Sequence, residues 1–136
     1  MRIVVDTNVL LTSISKKSRT RWPFDAIIDQ SVTLLITNEI LTEYREIIAQ
    51  RANEIVAENV TGTLVNLASV EKVEVYFYWG LITVDPDDNK FVDCAFSGSA
   101  DHIVTYDNHF NVLTNVEFPK LSVITPERLK DLLGLK

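Results

Sequence analysis

Four short apolar runs that alternate with helix-like segments constrain the fold of this chain more than any other feature. The runs occupy residues 2–6, 32–36, 102–105 and 121–124. Continuous apolar runs of this length are typical of strands that a parallel sheet buries on both faces. Strands that alternate with helices require crossover connections. The sequence therefore predicts an α/β fold in which one domain, residues 1–136, has three layers, with a mostly parallel central sheet flanked by helices.

Helix signals and one further strand signal complete the predicted element order. The predicted helices follow Asp6 up to the polar stretch at 15–21, run from Pro23 to about Gln30, from Thr37 to about Arg51, from about Asp88 to Ser97, and from Thr125 to Gly134. Residues 52–69 are predicted to continue the third helix, with Gly62 as a breaking point. Residues 73–79 alternate between two sets of side chains, which predicts a half-exposed strand.

Composition narrows the class of protein. The chain has 136 residues, of which 46% are hydrophobic, enough for one domain with a packed core. Its single cysteine, Cys94, excludes a disulfide framework and a Cys/His zinc cluster, and is expected to be a core residue. No apolar stretch reaches the roughly 20 residues that span a bilayer. The apolar N-terminus is interrupted by Asp6 and Asn8 and is not expected to be a signal peptide. A soluble, cytoplasmic protein without membrane contact is predicted.

The net charge of −6 disfavours general affinity for nucleic acid, because phosphates attract basic surfaces. Two features weaken this objection. Bound cations would offset carboxylates that gather at one site. Four basic residues also lie within six positions, namely Lys16, Lys17, Arg19 and Arg21. That run is either a phosphate contact or a solvated loop, and the sequence leaves both open.

Two acids follow predicted strands. Asp6 ends the first run, and Asp107 comes just after the run at 102–105. In open parallel sheets, sites form beyond the carboxyl ends of the strands, so both carboxylates are expected at the same edge. Asp6 could instead serve only as the N-cap of the following helix.

Helical phase selects two further acids. In the helix from Thr37, Glu43 lies roughly 40° from Ile47, on the flank of the apolar stripe. A carboxylate there needs a partner, either a metal or a buried base in a salt bridge. Glu39 and Glu46 point further toward solvent.

In the helix from Asp88, the residues Phe91, Val92 and Ala95 fall within roughly 60° of Asp88, which places Asp88 on the core-facing side. Asp93 lies roughly 140° away and is predicted to face solvent. Asp85 and Asp87 are either supporting groups or ordinary turn residues.

Clustered carboxylates repel one another, and a hard divalent cation relieves that repulsion. Mg²⁺ and Mn²⁺ prefer oxygen ligands, and either ion can activate a bound water and polarise a phosphodiester. Other chemistries lack support. The chain has no G-x-x-x-x-G-K-[ST] loop and no G-x-S-x-G elbow, and its acids do not match those of receiver domains or haloacid dehalogenases.

Four segments resemble the PIN-domain nucleases, in the same order and over nearly the whole chain. They are VVDTNVLL at 4–11, TNEILTEY at 37–44, DPDDNKFVDCAF at 85–96 and IVTYD at 103–107. More narrowly, they resemble the toxin components of prokaryotic toxin–antitoxin pairs. The resemblance implies a PIN-like fold and hydrolysis of RNA phosphodiester bonds with Mg²⁺ or Mn²⁺. It also implies a homodimer and a cognate antitoxin as partner.

The resemblance assigns roles residue by residue. The acidic quartet of the family falls on Asp6, Glu43, Asp88 and Asp107, which would act as metal ligands and catalytic residues. Asn8 and Thr105 match supporting polar residues. Tyr106 is a departure, because the family often has a small or basic residue there.

The sequence leaves the roles of a few other residues open. Lys90 is either a phosphate contact or a solvated lysine. His109 is a candidate substrate contact, and His102 a weaker one. The aromatic run at 76–79 is either core and dimer interface or a base-stacking surface. The alternative function is a catalytically silent PIN-fold module that binds RNA or a protein partner.

Overall fold

The computed structural model describes residues 1–15, 21–83, 85–115 and 120–135, and its centre is a parallel sheet. The five strands are β1 (Arg2–Val5), β2 (Thr33–Ile36), β3 (Val70–Lys72), β4 (His102–Val104) and β5 (Val123–Ile124). Their spatial order is β3-β2-β1-β4-β5, and every pairing is parallel. The predicted α/β class and parallel sheet are confirmed.

Helices connect these strands. They are α1 (Thr7–Ser13), α2 (Trp22–Ile28), α3 (Asn38–Arg51), α4 (Glu54–Asn66), α5 (Asn89–Ser97) and α6 (Pro126–Leu132). Two 3₁₀ segments, Pro86–Asp88 and Asn108–Asn115, precede α5 and follow β4. No helix in the described ranges is long and apolar enough to cross a membrane.

β1 is the central strand and carries the core. Ile3, Val4 and Val5 are each at most 1% exposed, because β2 and β4 cover both edges of β1 and helices cover its faces. The register pairs Val5 with Val104, so β1 and β4 end side by side. This register places the residues that follow the two strands at one edge of the sheet.

Most of the helix predicted over 52–69 is present as α4, but the prediction that it continues α3 is wrong. α3 ends at Arg51, and Asn53 begins α4 by accepting a hydrogen bond from the Val56 amide at 2.8 Å. Asparagine is a favoured N-cap because its side-chain oxygen satisfies an amide that the helix itself leaves without a partner. Gly62 does not break α4, which continues to Asn66.

The prediction of a strand over 73–79 is also wrong. The third strand is Val70–Lys72, and residues 73–80 form no regular element. Burial alternates only in part, because Val73 is buried and Val75 and Trp79 are half-buried. Phe77, which belongs to the same set, is 58% exposed, between Tyr76 at 88% and Tyr78 at 73%. The alternation of residue types therefore does not correspond to a strand with one buried face.

Candidate functional site

Asp6 lies directly beyond β1 and is buried, with 7% exposure. Its amide donates to Val104 O at 3.0 Å, which continues the β1–β4 ladder by one residue. Its carboxylate makes no capping hydrogen bond to α1; instead, Oδ2 accepts a hydrogen bond from Thr105 Oγ1 at 2.8 Å. Asp6 occupies the N-cap position of α1, but its side chain points toward β4 and not onto the helix.

Burial raises the pKa of Asp6 to about 6. The Thr105 hydroxyl opposes this shift because it stabilises the ionised carboxylate, whereas the charges of Asp88 and Asp107 add to it. Three acids from different parts of the chain are therefore close enough to repel one another. This convergence agrees with the sequence-based expectation for Asp6, Asp88 and Asp107.

Thr105 links the two acids that follow the strands. Its Oγ1 donates to Asp6 and accepts a hydrogen bond from the Asp107 amide at 2.9 Å. Thr105 is buried, with 3% exposure. One buried hydroxyl thus joins the Asp6 carboxylate to the start of the loop that carries Asp107.

Asp88 ends the 3₁₀ turn in front of α5 and is 9% exposed. Its amide donates to Asp85 O at 3.0 Å, and the Asp85 carboxylate accepts from the Asp87 amide at 3.2 Å. Burial raises the pKa of Asp88, while the hydrogen bond with His109 lowers it. The turn residues Asp85 and Asp87 thus shape the loop that presents Asp88 on the core side of α5, where helical phase placed it.

His109 lies between two of the acids. Its Nδ1 is 3.2 Å from Asp88 Oδ2 and 3.4 Å from Asp107 Oδ1, and its amide donates to Asp107 Oδ1 at 2.8 Å. The hydrogen bond with Asp88 raises the pKa of His109. From the sequence, His109 is only a candidate substrate contact. The sequence feature that indicates a place in the acidic group is its position two residues after Asp107, which brings the ring back over the same loop.

Glu43 borders this group from α3. It is half-buried, as its helical phase predicted, and α3 is held to the end of β1 by a hydrogen bond from the Tyr44 hydroxyl to Val5 O. One oxygen of Glu43 accepts a hydrogen bond from the hydroxyl of Thr7, the residue after Asp6. The other accepts from Lys90 Nζ at 2.7 Å. No pattern in the sequence indicates this role for Thr7.

The expectation that Lys90 is exposed is wrong. Its side chain is 8% exposed, and Nζ donates to Glu43 and also to Asp87 O at 2.7 Å. Lys90 therefore ties α3 to the turn in front of α5. The salt bridge that was the alternative for Glu43 is present, and it lies beside the acidic group.

The prediction that Asp93 faces solvent is wrong. Asp93 is 4% exposed, and Oδ1 accepts a hydrogen bond from the Trp79 amide at 3.0 Å. The irregular segment after β3 folds over this side of α5, and Asn89 holds the same segment through hydrogen bonds to the amide and carbonyl of Ile82. A helical wheel drawn from α5 alone cannot show a cover supplied by another segment.

The remaining candidates lie outside the group. Asn8 is exposed on the first turn of α1. His102 contacts Ser122 Oγ at 2.8 Å, at the opposite end of β4.

Cys94 is fully buried, and burial raises the pKa of its thiol to about 12, which agrees with a core role. Tyr106 donates a hydrogen bond to Glu127 of α6, which is not part of the acidic group. Of the basic run, Lys16, Lys17 and Arg19 lie outside the described residues.

The fold and the site together define an α/β domain with an acidic group at the carboxyl ends of two neighbouring parallel strands. The chain belongs to the PIN-domain family, because the family model described as PIN domain matches residues 2–109. That match contains all four acids of the expected quartet. A comparison with curated protein sequences gives no significant match.

Solved structures share this fold at low identity. VapBC2 from Rickettsia felis, bound to a DNA fragment from its promoter, aligns with a TM-score of 0.64 and 14% identity over 92% of this chain and 98% of the other. The Sarcin-Ricin loop cleaving toxin VapC20 from Mycobacterium tuberculosis aligns with a TM-score of 0.61 and 12% identity, over 80% of this chain and 92% of the other. FitAcB from Neisseria gonorrhoeae aligns with a TM-score of 0.56 and 16% identity, over 92% of this chain and 98% of the other.

Proposed function

We propose that this protein is a divalent-metal-dependent endoribonuclease, the toxin of a toxin–antitoxin pair. The observation that carries the proposal is the convergence of Asp6, Asp88 and Asp107 from three separate segments at one edge of the sheet. Burial raises the pKa of both Asp6 and Asp88, so the fold holds carboxylates together at a cost that a cation would offset. Membership in the PIN-domain family and the VapC fold relatives support the same reading.

The donor set fits a hard divalent cation. Carboxylate oxygens are the ligands that Mg²⁺ and Mn²⁺ prefer, and the group offers several of them in a partly enclosed position. We propose that Asp6, Asp88 and Asp107 hold the ion and that Glu43 completes the acidic set from α3. When bound, such an ion lowers the pKa of a water molecule and stabilises charge on a phosphodiester.

The other residues act on the acids or on the RNA. Thr105 keeps the Asp6 carboxylate turned toward Asp107 through its hydroxyl. Thr7 and Lys90 hold the two oxygens of Glu43, so this carboxylate has a fixed direction. Asn8 is exposed on the first turn of α1, two residues after Asp6, and we propose that it contacts the RNA backbone.

Partners follow from the fold relatives. Among them are toxin–antitoxin complexes, and we propose a cognate antitoxin for this protein as well. We also propose a cytoplasmic homodimer. The exposed aromatics Tyr76, Phe77 and Tyr78 form an apolar surface that a second copy would cover. Light scattering of the purified protein should give twice the mass of the 15.4 kDa chain, and a monomer at all concentrations would contradict the dimer.

RNA cleavage by the purified protein tests the activity. The wild type is assayed with Mn²⁺, with Mg²⁺ and with EDTA, on a panel that includes messenger, transfer and ribosomal RNA. Cleavage should require metal and should be lost in Asp6→Asn and Glu43→Gln. Glu46→Gln is the matched control, because Glu46 lies on the same helix and is exposed.

The outcomes separate the two candidate functions. Metal-dependent cleavage that survives Glu46→Gln but not Asp6→Asn supports the nuclease. Metal binding by folded protein without cleavage of any RNA in the panel favours the silent binding module. Failure of the folded protein to bind Mn²⁺ or Mg²⁺ contradicts the proposed site.

A further inference from the structure

One ring nitrogen of His109 belongs to a compact group of donor atoms within the acidic site. The group also contains one carboxylate oxygen each from Asp85 and Asp88, and all three atoms lie within 4.8 Å of one another. Across the described ranges 1–15, 21–83, 85–115 and 120–135, no other set of three or more His, Cys, Asp or Glu residues meets this spacing. The expected quartet of Asp6, Glu43, Asp88 and Asp107 does not meet this spacing by itself.

The position of His109 is fixed by its backbone and its neighbour. The His109 amide donates to Asp107 Oδ1 at 2.8 Å. The next residue, Phe110, is fully buried and packs edge-on against Phe91 of α5, with ring centroids 6.3 Å apart. The imidazole is therefore anchored to the same helix whose first turn presents Asp88. Its side chain is still 38% exposed, so an ion from solvent can reach it.

The separations between His109 Nδ1 and two neighbouring carboxylates suit an octahedral ion. Adjacent ligands at about 2.1 Å from such an ion are about 3.0 Å apart. The two measured separations of His109 Nδ1, 3.2 Å to Asp88 and 3.4 Å to Asp107, exceed this by a few tenths of an ångström. Small rotations of the His109 and Asp107 side chains, which are 38% and 32% exposed, would close that difference.

We propose that His109 is a nitrogen ligand of the metal, in a mixed oxygen and nitrogen subsite with Asp85 and Asp88. This inference rests on the proposed function, because it adds ligands to the same metal site. The expected quartet contains oxygen ligands only, and it assigns no role to either Asp85 or His109.

A nitrogen ligand changes which ion the site prefers. Imidazole binds first-row transition ions better than it binds Mg²⁺, which strongly prefers oxygen. His109→Gln should therefore weaken Mn²⁺ binding by at least about tenfold and weaken Mg²⁺ binding much less. The ratio of the two affinities, measured by calorimetry, moves only if the nitrogen contacts the ion. A general loosening of the loop would weaken both ions alike.

Pulsed electron paramagnetic resonance of the Mn²⁺-loaded protein tests the contact directly, because a coordinated imidazole modulates the echo through its ¹⁴N nucleus. The chain has only two histidines, so protein without a histidine tag offers few sources of this signal. Wild type and His102→Gln should show the ¹⁴N modulation, and His109→Gln should lose it. His102 is the matched control because it lies at the opposite end of β4, beside Ser122.

Each result has a separate meaning. Modulation that is lost in His109→Gln alone establishes the ligand. Bound Mn²⁺ without ¹⁴N modulation in the wild type overturns this inference and leaves the proposed function standing. Modulation lost in His102→Gln and retained in His109→Gln also overturns it. Absence of bound Mn²⁺ in folded wild type overturns the inference together with the proposed metal site.

Discussion

At the residue scale, burial controls the charge of Asp6. The pKa rises from an ordinary 3.8 to about 6 because the carboxylate is removed from water, and only Thr105 among the side chains opposes the rise. The folded pKa lies above the unfolded one. Asp6 therefore contributes its full share of stability below about pH 4 and loses it as the pH rises through about 6. An ionised Asp6 strains the protein unless a cation accompanies it.

Asp6→Asn should stabilise the protein in EDTA at neutral pH. Asparagine keeps an oxygen that accepts from Thr105 but carries no charge to desolvate. A rise of roughly two pKa units corresponds to at most about 3 kcal/mol. Urea unfolding at pH 4.5 and pH 7.5 measures the free energy of both proteins. The advantage of the variant should be larger at pH 7.5, and a difference that is the same at both pH values would contradict the prediction.

The Lys90–Glu43 pair should contribute more than an exposed pair does. The Lys90 side chain is 8% exposed, and its Nζ lies 2.7 Å from Glu43. Lys90→Met leaves a half-buried carboxylate with only Thr7 as partner, which should cost about 1–3 kcal/mol. A double-mutant cycle with Glu43→Gln, measured by urea unfolding in EDTA, should give a coupling of about 1 kcal/mol or more.

The control for this cycle is the exposed pair Arg45–Glu58, whose atoms are 3.5 Å apart. Such a pair is worth roughly 0.2–1 kcal/mol, because water screens it. Equal coupling in the two cycles would mean that Lys90 is an ordinary surface lysine, as the sequence alone suggested.

At the element scale, two glycines have opposite roles. A Cβ at Gly98, which ends α5, would lie 2.8 Å from Leu35 Cδ1 and 2.9 Å from Val73 Cγ2. Both neighbours belong to the sheet side of the core, so α5 can approach the sheet only because this residue has no side chain. Gly62 lies inside α4, with nothing within 4 Å of the equivalent position.

Gly98→Ala should destabilise the protein by about 1–3 kcal/mol, because Leu35 or Val73 must move in a packed core. Gly62→Ala should stabilise it by roughly 0.5–1 kcal/mol, since alanine loses less backbone freedom in a helix. Thermal unfolding of the two variants beside the wild type measures both effects. Changes of the same sign at both sites would contradict the packing described for α5.

The irregular segment after β3 is held by side chains in place of a strand ladder. Asn89 accepts from the Ile82 amide at 2.9 Å and donates to the Ile82 carbonyl at 2.8 Å, as a neighbouring strand would. Asp93 holds the Trp79 amide in the same segment. These contacts come from α5, which also presents Asp88.

Asn89→Ala should release this segment. Hydrogen exchange at the Ile82 amide should accelerate by about fivefold or more, because one hydrogen bond is worth about 1 kcal/mol or more. Asn66→Ala is the control, since the Asn66 amide bonds only Gly62 O on an exposed helix surface. If Ile82 exchange is unchanged in Asn89→Ala, the segment is held by other contacts.

At the scale of the whole molecule, the strand order brings the acids together. Strand order reverses between β1 and β4, and Asp6 and Asp107 follow these two strands. Such a reversal opens a crevice at the carboxyl ends of a parallel sheet. The net charge of −6 is thereby concentrated in part at one edge, where a cation would have the largest effect on stability.

Mn²⁺ should raise the melting temperature of the wild type relative to EDTA. At a free concentration 100 times the Kd, binding stabilises the folded state by about 2.7 kcal/mol, or roughly 8 °C for a domain of this size. Differential scanning calorimetry should show the shift in the wild type and in Asp131→Asn, an exposed acid of α6, but not in Asp88→Asn. An equal shift in Asp88→Asn would place the bound ion elsewhere.

Local patterns in the sequence were sufficient for much of the fold. Four of the five strands, the parallel class and the caps at Thr37 and Thr125 follow from short apolar runs and from hydrogen-bonding side chains, which act over a few residues. The positions of Asp6 and Asp107 follow from strand ends, and that of Asp88 from helical phase. These properties depend on neighbours in the chain, so the chain alone contains them.

Only the tertiary structure decided the contacts between distant segments. The cover over Asp93, the buried Lys90–Glu43 pair and the approach of His109 to Asp88 each join residues from separate elements. Helical periodicity describes the faces of one helix but not what packs on them, so Asp93 and Lys90 were wrongly expected to be exposed. The sequence by itself determined the strands and the acids at their ends. The packing of α3, α5 and the loop after β4 decided which partners those acids have, because burial and charge pairing are properties of the assembled fold.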